Sequence, residues 1–401
     1  MSQPDTVILL VVIATAIALI TRRVPVPYTV ALVVAGTVLG AFHFVAAPHL
    51  TKPLLFAVFL PGLLFEAAFH LEWSDLRKNA GVITALAVPG VIASIGVTAG
   101  VLMLLARVAG ANVTPGWREA LVFGAVVAAT DPIAVVSLVR SLGAPKRLGV
   151  LLEAESLLND GTAIVLLGLV LTVATGTAAS GVALVLDFLR IVGLGVAVGL
   201  LAGAAASLLA RTVDDAVIEI TLTVIAAYGS FVVADQLGGS GVIATVVAGV
   251  ICGNYGARSA MSPATRLAAQ SFWDYVAFLL NSIVFLLIGF EVHLPALIPR
   301  WPLIVASLVA GWVSRSVVVS LVVAGAARTP ERIPREWTAP LIWGGLRGAL
   351  SMVLALSLPD GVTNRELIIA MTVGFVLLSI LLQGTTMARL LKGAGLAADP
   401  A

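Results

Sequence analysis

The chain is predicted to be an all-α polytopic membrane protein of about thirteen helices, and three observations carry that class. Of its 401 residues, 60% are hydrophobic and 11% are charged, with a mean hydropathy of +1.10. A soluble domain carries about 25% Asp, Glu, Lys and Arg, so this chain has too little charge to wet a globule of its length. Its apolar residues also fall in runs close to the ~20 residues that a helix needs to cross ~30 Å of hydrocarbon. Finally, the 38 glycines and 19 prolines lie largely inside those runs, where membrane helices tolerate them better than soluble helices do.

Dividing the chain at its charge and Pro/Gly clusters gives segments at about 6–21, 27–47, 54–70, 80–106, 117–139, 148–176, 182–210, 217–236, 239–253, 272–292, 301–326, 338–358 and 365–388. Asp5 precedes the first run and no small-residue cleavage site follows it, so this segment reads as a first span and not as a removed leader. The segment at 239–253 is short enough to be re-entrant. Thirteen spans put the termini on opposite sides. With the N-terminus outside, the inner loops and tail hold fifteen Lys and Arg, including Arg22, Arg77, Lys78, Arg140 and Arg258. Only Lys52, Arg107, Arg118, Arg300 and Arg365 fall outside. Positive residues favour the cytoplasmic side, which places the N-terminus outside and the C-terminus inside a cell (inner) membrane.

The same composition excludes several function classes. A net charge of +2 without a long basic run gives no footing for a nucleic-acid partner. No GxxxxGK[ST] loop occurs, so no nucleotide is expected as the energy source. The loops are short and the chain stops about a dozen residues after the last segment, which leaves no room for a large soluble domain. The single cysteine, Cys252, provides neither a disulfide framework nor a cysteine metal cluster and reads as a small packing residue.

A charge at the centre of a membrane helix costs about 2.5–3.5 kcal/mol on insertion scales, so each one is a functional candidate. Here they are Glu66 in the third span, Asp131 in the fifth, Glu153, Glu155 and Asp160 in the sixth, Asp235 near the end of the eighth, Arg315 in the eleventh and Arg347 in the twelfth. In the fifth span, Pro132 removes a backbone N–H and crowds the preceding turn. Carbonyls near Ala128 and Ala129 thereby lose helical donors beside the Asp131 carboxylate, which makes a cation site from side chain and backbone; a plain proline kink with Asp131 paired to an arginine is the alternative. In the sixth span, Ser156 and Asp160 are four residues apart and share a face, as do Glu155 and Asn159. A hydroxyl one turn from a carboxylate offers the oxygen ligands that hard cations prefer. Desolvation disfavours the charged form of a carboxylate, so Asp160 is suited to hold either a proton or a cation. Competition for that one site is enough to couple the two fluxes. In the twelfth span, Gly344, Gly345 and Gly348 surround Arg347 and favour a local break, each weakening a helix by about 1 kcal/mol relative to alanine. Broken spans at equivalent places in two inverted halves, here spans one to six and eight to thirteen, point to a transporter's substrate site.

The stretches ATDPIAVV, LGAPKRLGVLLEAESLLNDGTAIVL, FLLNSIVFLLIGFEV and WGGLRGALS resemble the monovalent cation/proton antiporters of the NhaP/NHE branch, within the cation–proton antiporter superfamily. The resemblance implies an NhaA/NhaP-like fold with inverted repeats of six and discontinuous crossing helices, working as a homodimer by elevator-like motion. It further implies an ion-binding bundle from 54–176 with 272–388 and a dimerisation bundle from 1–53 with 182–253. Carried over by residue, it makes Asp160 the principal ion- and proton-binding carboxylate. Asp131, Ser156 and the Thr130 carbonyl complete the site, and Glu66 contributes indirectly. Glu155 and Arg347 match a pair that ties span six to span twelve, and Arg315 matches an intramembrane arginine whose partner is not named by sequence. Asn159 stands where the electrogenic branch has a second aspartate, which implies electroneutral exchange of one cation for one proton. Na⁺ is the expected cargo, with Li⁺ and K⁺ as alternatives and no cofactor. Many relatives carry a long cytoplasmic tail that this chain lacks, so regulation by tail-binding partners is not expected.

Asp235 either faces an outer cavity or caps the short following span. His43, His49, His70 and His293 lie near span ends, where solvated or interfacial roles are expected, and Trp73, Trp117, Trp301 and Trp337 are placed as an aromatic belt would be. An intramembrane aspartyl protease also needs two membrane carboxylates, but the contexts here are Thr-Asp-Pro and Asn-Asp-Gly in place of that class's Tyr-Asp and Gly-x-Gly-Asp. A cation channel would need a carbonyl filter or a charged ring, and no TVGYG-like loop is present.

Overall fold

The computed structural model of the chain describes residues 3–21, 23, 26–42, 52–108, 114–177, 180–257 and 261–397. Arg22, His43, His49 and Arg258 lie outside the described residues. Among the described residues the structure is helical, without a strand. Seven helices are long and apolar enough to cross a membrane, and four shorter apolar ones occupy 8–21, 28–41, 55–70 and 241–256. With two interrupted segments, at 117–141 and 338–356, these account for the thirteen expected spans.

In chain order the helices are α1 (Gln3–Thr21), α2 (Tyr28–Ala41), α3 (Leu60–His70), α4 (Trp73–Lys78), α5 (Ala80–Ala87), α6 (Pro89–Val108), α7 (Trp117–Val126), α8 (Ile133–Ser141), α9 (Lys146–Ala174), α10 (Gly181–Ala210), α11 (Ala216–Gln236), α12 (Gly241–Ile251), α13 (Pro263–Phe290), α14 (Trp301–Ala326), α15 (Thr338–Trp343), α16 (Ala349–Leu356) and α17 (Arg365–Gly393). Their ends follow local chemistry. Asp215 caps α11 by accepting from the N–H groups of Val217 and Ile218 at 2.8 and 3.1 Å, the usual answer to unsatisfied donors at a helix start. Ser180 and Ser240 do the same for α10 and α12. Pro89 lacks an N–H to give to Ala85, and the helix is interrupted at Val88 between α5 and α6.

The chain forms two compact units. One holds residues 1–52, 81–177 and 282–401, the other 53–80 and 178–281. This grouping differs from the bundles set out from the sequence, because α3 belongs with α10–α12, and α1 and α2 belong with the later helices. Close backbone approach explains both placements. Within the second unit, a side chain at Gly249 would run into Ala68 and the Phe65 carbonyl at 2.7 and 2.9 Å, and Gly253 packs against the Phe69 carbonyl. Gly195, Gly199 and Gly203 recur every four residues on α10 and meet the backbone of α12 at Ser240, Ala244 and Ala248, a small-residue contact of the kind that drives membrane helix packing. Phe65, Phe69, Cys252 and Trp273 are buried together in this unit's core, and the Trp273 indole donates to Thr223 Oγ1 at 3.0 Å. Cys252 is thus the packing residue expected.

Within the first unit, Gly36 of α2 lies against the Leu286 carbonyl and Gly289. The Tyr28 hydroxyl is 2.7 Å from Ser282 Oγ. The long α14 packs along α6 and α17, with Gly311 beneath the Phe375 ring and Gly374 against Ile304. Gly124 brings α7 onto the backbone of Ile95 in α6. These contacts leave the two interrupted spans inside one unit.

Candidate functional site

The fifth span is more than kinked. Between α7 and α8, residues 127–132 leave the helix, and side chains take over the carbonyls that this frees. Asn159 Nδ2 donates to Ala128 O at 3.1 Å and Arg347 Nη1 to Ala128 O and Ala129 O at 2.8 and 3.1 Å. Ser156 Oγ donates to Thr130 O at 2.5 Å. The Asp131 carboxylate accepts from the Ile133 N–H at 3.1 Å, closing the start of α8.

The twelfth span breaks as its glycines predict, with 344–348 unwound between α15 and α16. The two unwound stretches meet. The Asp131 N–H donates to Leu346 O at 2.7 Å, and Gly348 lies so close to the Asp131 carboxylate that a Cβ there would fall within 2.6 Å of Asp131 Cβ. Helix α17 supports the break from behind. Ser379 Oγ accepts from the Arg347 N–H at 3.2 Å and donates to Gln383 Oε1, while Gln383 Nε2 donates to Trp343 O at 2.9 Å and the Trp343 indole to Thr386 Oγ1 at 2.8 Å. Sequence reading missed Ser379, Gln383 and Thr386. Their only sequence signal is a run of polar residues on one side of an otherwise apolar span.

The expected pairing of Glu155 with Arg347 is not what forms. Arg315 reaches Glu155 with both guanidinium ends, at 2.7 and 2.9 Å, and also donates to Leu341 O at 3.0 and 3.2 Å. Arg315 stands on an uninterrupted helix and offers a planar fork to the carboxylate, whereas Arg347, in an unwound stretch, answers the orphaned carbonyls of the fifth span. The partner of Arg315 is therefore Glu155. Both arginines are buried, Arg315 bonded through Nε and both terminal nitrogens and Arg347 through Nη1, and such charge-assisted bonds are the condition for holding a charge in a low-dielectric interior.

Asp160 sits at this crossing with Asp131, Glu155 and Arg347 in electrostatic reach. Its Oδ1 is buried and no donor among the described residues lies within bonding distance. Thr130, Ser156 and Asn159 around it are buried, while Asp131 and Asp160 retain partial exposure. A carboxylate oxygen left without a donor, next to a second carboxylate, a hydroxyl and a backbone carbonyl, has the ligand chemistry of a small hard cation. Asn159 uses its amide hydrogens on Ala128 O and Thr130 Oγ1, the latter at 3.0 Å, so it bonds the unwound stretch and carries no titrating proton.

Glu66 belongs to the other unit, on α3. There its Oε1 lies 3.3 Å from His70 Nδ1, and His70 Nε2 lies 3.5 Å from Asp274 Oδ1. His70 is thus half-buried between two carboxylates and not simply interfacial. Three further residues can be placed. Glu153, its side chain only 13% exposed, forms an ion pair with exposed Arg140 at 2.9 Å, Asp235 is exposed and leaves the capping of α12 to Ser240, and Trp337 is buried with Arg147 over its ring, whereas Trp73, Trp117 and Trp301 are exposed.

The family model described as the transmembrane sodium/hydrogen exchanger matches residues 8–393. The chain belongs to the sodium/hydrogen exchanger family. Members are secondary transporters and not enzymes. The chain is 38% identical over 398 residues to the low-affinity Na⁺/H⁺ antiporter NhaS1 of Synechocystis sp., covering 96% of this chain and 74% of that protein. It is 33% identical to the Na⁺/H⁺ antiporter NhaH of Halobacillus dabanensis, covering 97% of each. Its fold is similar to the structure of the sodium proton antiporter MjNhaP1 from Methanocaldococcus jannaschii, with a TM-score of 0.78 at 19% identity over 96% of this chain and 97% of that one. In this sodium/hydrogen exchanger the two interrupted spans meet within one unit.

Proposed function

We propose that this exchanger trades one Na⁺ for one H⁺ across the cell (inner) membrane, with the two ions competing for Asp160. The observation that carries this reading is the buried Asp160 oxygen without a donor at the crossing of the unwound stretches. A proton satisfies that oxygen in one state of the cycle and a cation satisfies it in the other. Asp131, Ser156 and the Thr130 carbonyl supply the remaining oxygen ligands, and Glu66 acts indirectly. Glu155, Asn159, Arg315 and Arg347 hold the crossing in shape.

Electroneutral stoichiometry rests on the side chain beside Asp160. Asn159 is engaged as a donor, which leaves one exchangeable carboxyl proton at this position. Li⁺ fits the same hard-oxygen set, and K⁺ is the larger alternative cargo. The unit that contains both interrupted spans carries the ion, the N-terminus faces out and the C-terminus faces the cytoplasm. In a single chain, α10 leaves Val182, Val185, Leu186 and Leu189 exposed, an apolar surface for the bilayer or for a second copy in a homodimer.

Proteoliposomes with an imposed pH gradient test the reading. Addition of Na⁺ should collapse the gradient, with Li⁺ and K⁺ run as separate arms, and valinomycin should leave the response unchanged. Asp160→Asn should abolish it. A Na⁺ response that survives this substitution would remove Asp160 from the centre of the mechanism.

A further inference from the structure

We propose that the junction of α3, α4 and α12 is a binding site for the phosphate-bearing headgroup of an anionic phospholipid. The second unit has an open concavity there of about 640 Å³, lined by Trp73, Ser74, Arg77, Lys78, Asn254 and Tyr255. No carboxylate lines it. Arg77 and Lys78 are exposed, and neither forms an ion pair among the described residues. The Ser74 and Tyr255 hydroxyls and the Trp73 indole N–H add neutral donors. A pocket whose free polar groups are two cations and several donors is complementary to an anion, and a phosphate matches both Arg and Lys.

The pocket is built and not merely a charged surface. Asn254 accepts from the Trp73 N–H at 2.8 Å and donates to Leu71 O and Val250 O, both at 2.8 Å. That side chain fastens the start of α4 to the end of α12, where the helix widens into a π-turn at Cys252–Gly256. With Asn254 occupied in this way, the binding groups left over are those of Trp73, Ser74, Arg77, Lys78 and Tyr255. Trp73 and Tyr255 are 51% and 55% exposed, which suits aromatic rings at headgroup depth. In the orientation proposed above, with the N-terminus outside, this junction lies at the cytoplasmic leaflet, whose surface is negative and attracts such residues. Acyl chains would then run along the apolar spans, so the occupant is a lipid and not a free phosphate ester. None of these groups belongs to the Asp160 crossing, so the proposal stands apart from the transport reading.

The test is thermal melting of the purified full chain in detergent, titrated with phosphatidylglycerol, phosphatidylcholine or glycerol 3-phosphate. Phosphatidylglycerol should raise Tm, and the other two should have little effect. Arg77→Gln with Lys78→Gln should weaken the phosphatidylglycerol effect by about tenfold or more in concentration, while Tm without lipid stays at the wild-type value because both side chains are exposed and unpaired. Ser74→Glu keeps both cations but places a like charge in the concavity, and it should lose the effect as well. An unchanged rise in both variants would overturn the site. An equal rise with glycerol 3-phosphate would overturn the lipid as its occupant.

Discussion

Arg315 and Glu155 lie 160 residues apart in the chain and meet through two hydrogen bonds of 2.7 and 2.9 Å, buried within one unit. This fork frees Arg347 to serve the unwound fifth span, so the two arginines divide the work of neutralising a carboxylate and of replacing lost helical donors.

Removing one partner of that fork leaves a buried charge alone, at a cost of about 3–5 kcal/mol. Glu155→Gln and Arg315→Leu should each lower Tm sharply in detergent melts, and the double substitution should cost less than the two single losses added together. Simple additivity of the two would show that the residues act independently.

Gly348 faces the Asp131 side chain with no space for a methyl group. Gly348→Ala should displace the carboxylate while leaving the helices folded. Transport is expected to fall by roughly tenfold to a hundredfold, the scale at which ångström-level misplacement acts, with Tm changed far less than by loss of the fork. Counterflow of labelled Na⁺ in proteoliposomes measures the first, and a melt measures the second.

Gln383 holds the Trp343 carbonyl at 2.9 Å within the break of the twelfth span. Gln383→Leu leaves that carbonyl without its donor and the Ser379 hydroxyl proton without its acceptor, which should destabilise by about 1–3 kcal/mol. Gln383→Glu keeps the acceptor for Ser379 but not the donor, so it should not rescue stability at neutral pH. A melt series across the three proteins checks the order.

If H⁺ and Na⁺ compete for Asp160, protons favour the loaded carboxyl and exclude the cation. The apparent KM for Na⁺ should therefore rise as pH falls, approaching about one decade per pH unit where the protonated form dominates. The maximal rate at saturating Na⁺ on that face should change much less. A KM independent of pH across that range would require separate sites for the two ions.

The thirteen apolar segments, the weakness at Pro132 and the weakness around Gly344–Gly348 were legible in the chain because each is local: hydrocarbon thickness sets a run length, a missing N–H or missing Cβ marks a break. The oxygen-bearing residues of the crossing were legible for a related reason, since ionisable groups are so few in an apolar chain that Asp131, Glu155 and Asp160 stand out, and their motifs resemble a known family. Glu153 shows the limit. It lies two residues before Glu155 on the same helix, yet it pairs with exposed Arg140 at 2.9 Å.

Partner choice required the tertiary structure. Glu155 had two buried arginines available, on spans eleven and twelve, and nothing local distinguishes them. The outcome depends on α14 running unbroken past Glu155 while the twelfth span unwinds and turns Arg347 toward Ala128 and Ala129. The grouping of α3 with α10–α12 has the same origin, because Gly249 and Gly253 matter only once another backbone lies against them. Membrane insertion is a property of each segment alone, whereas a buried hydrogen bond is a property of the pair, and only folding brings the pair together.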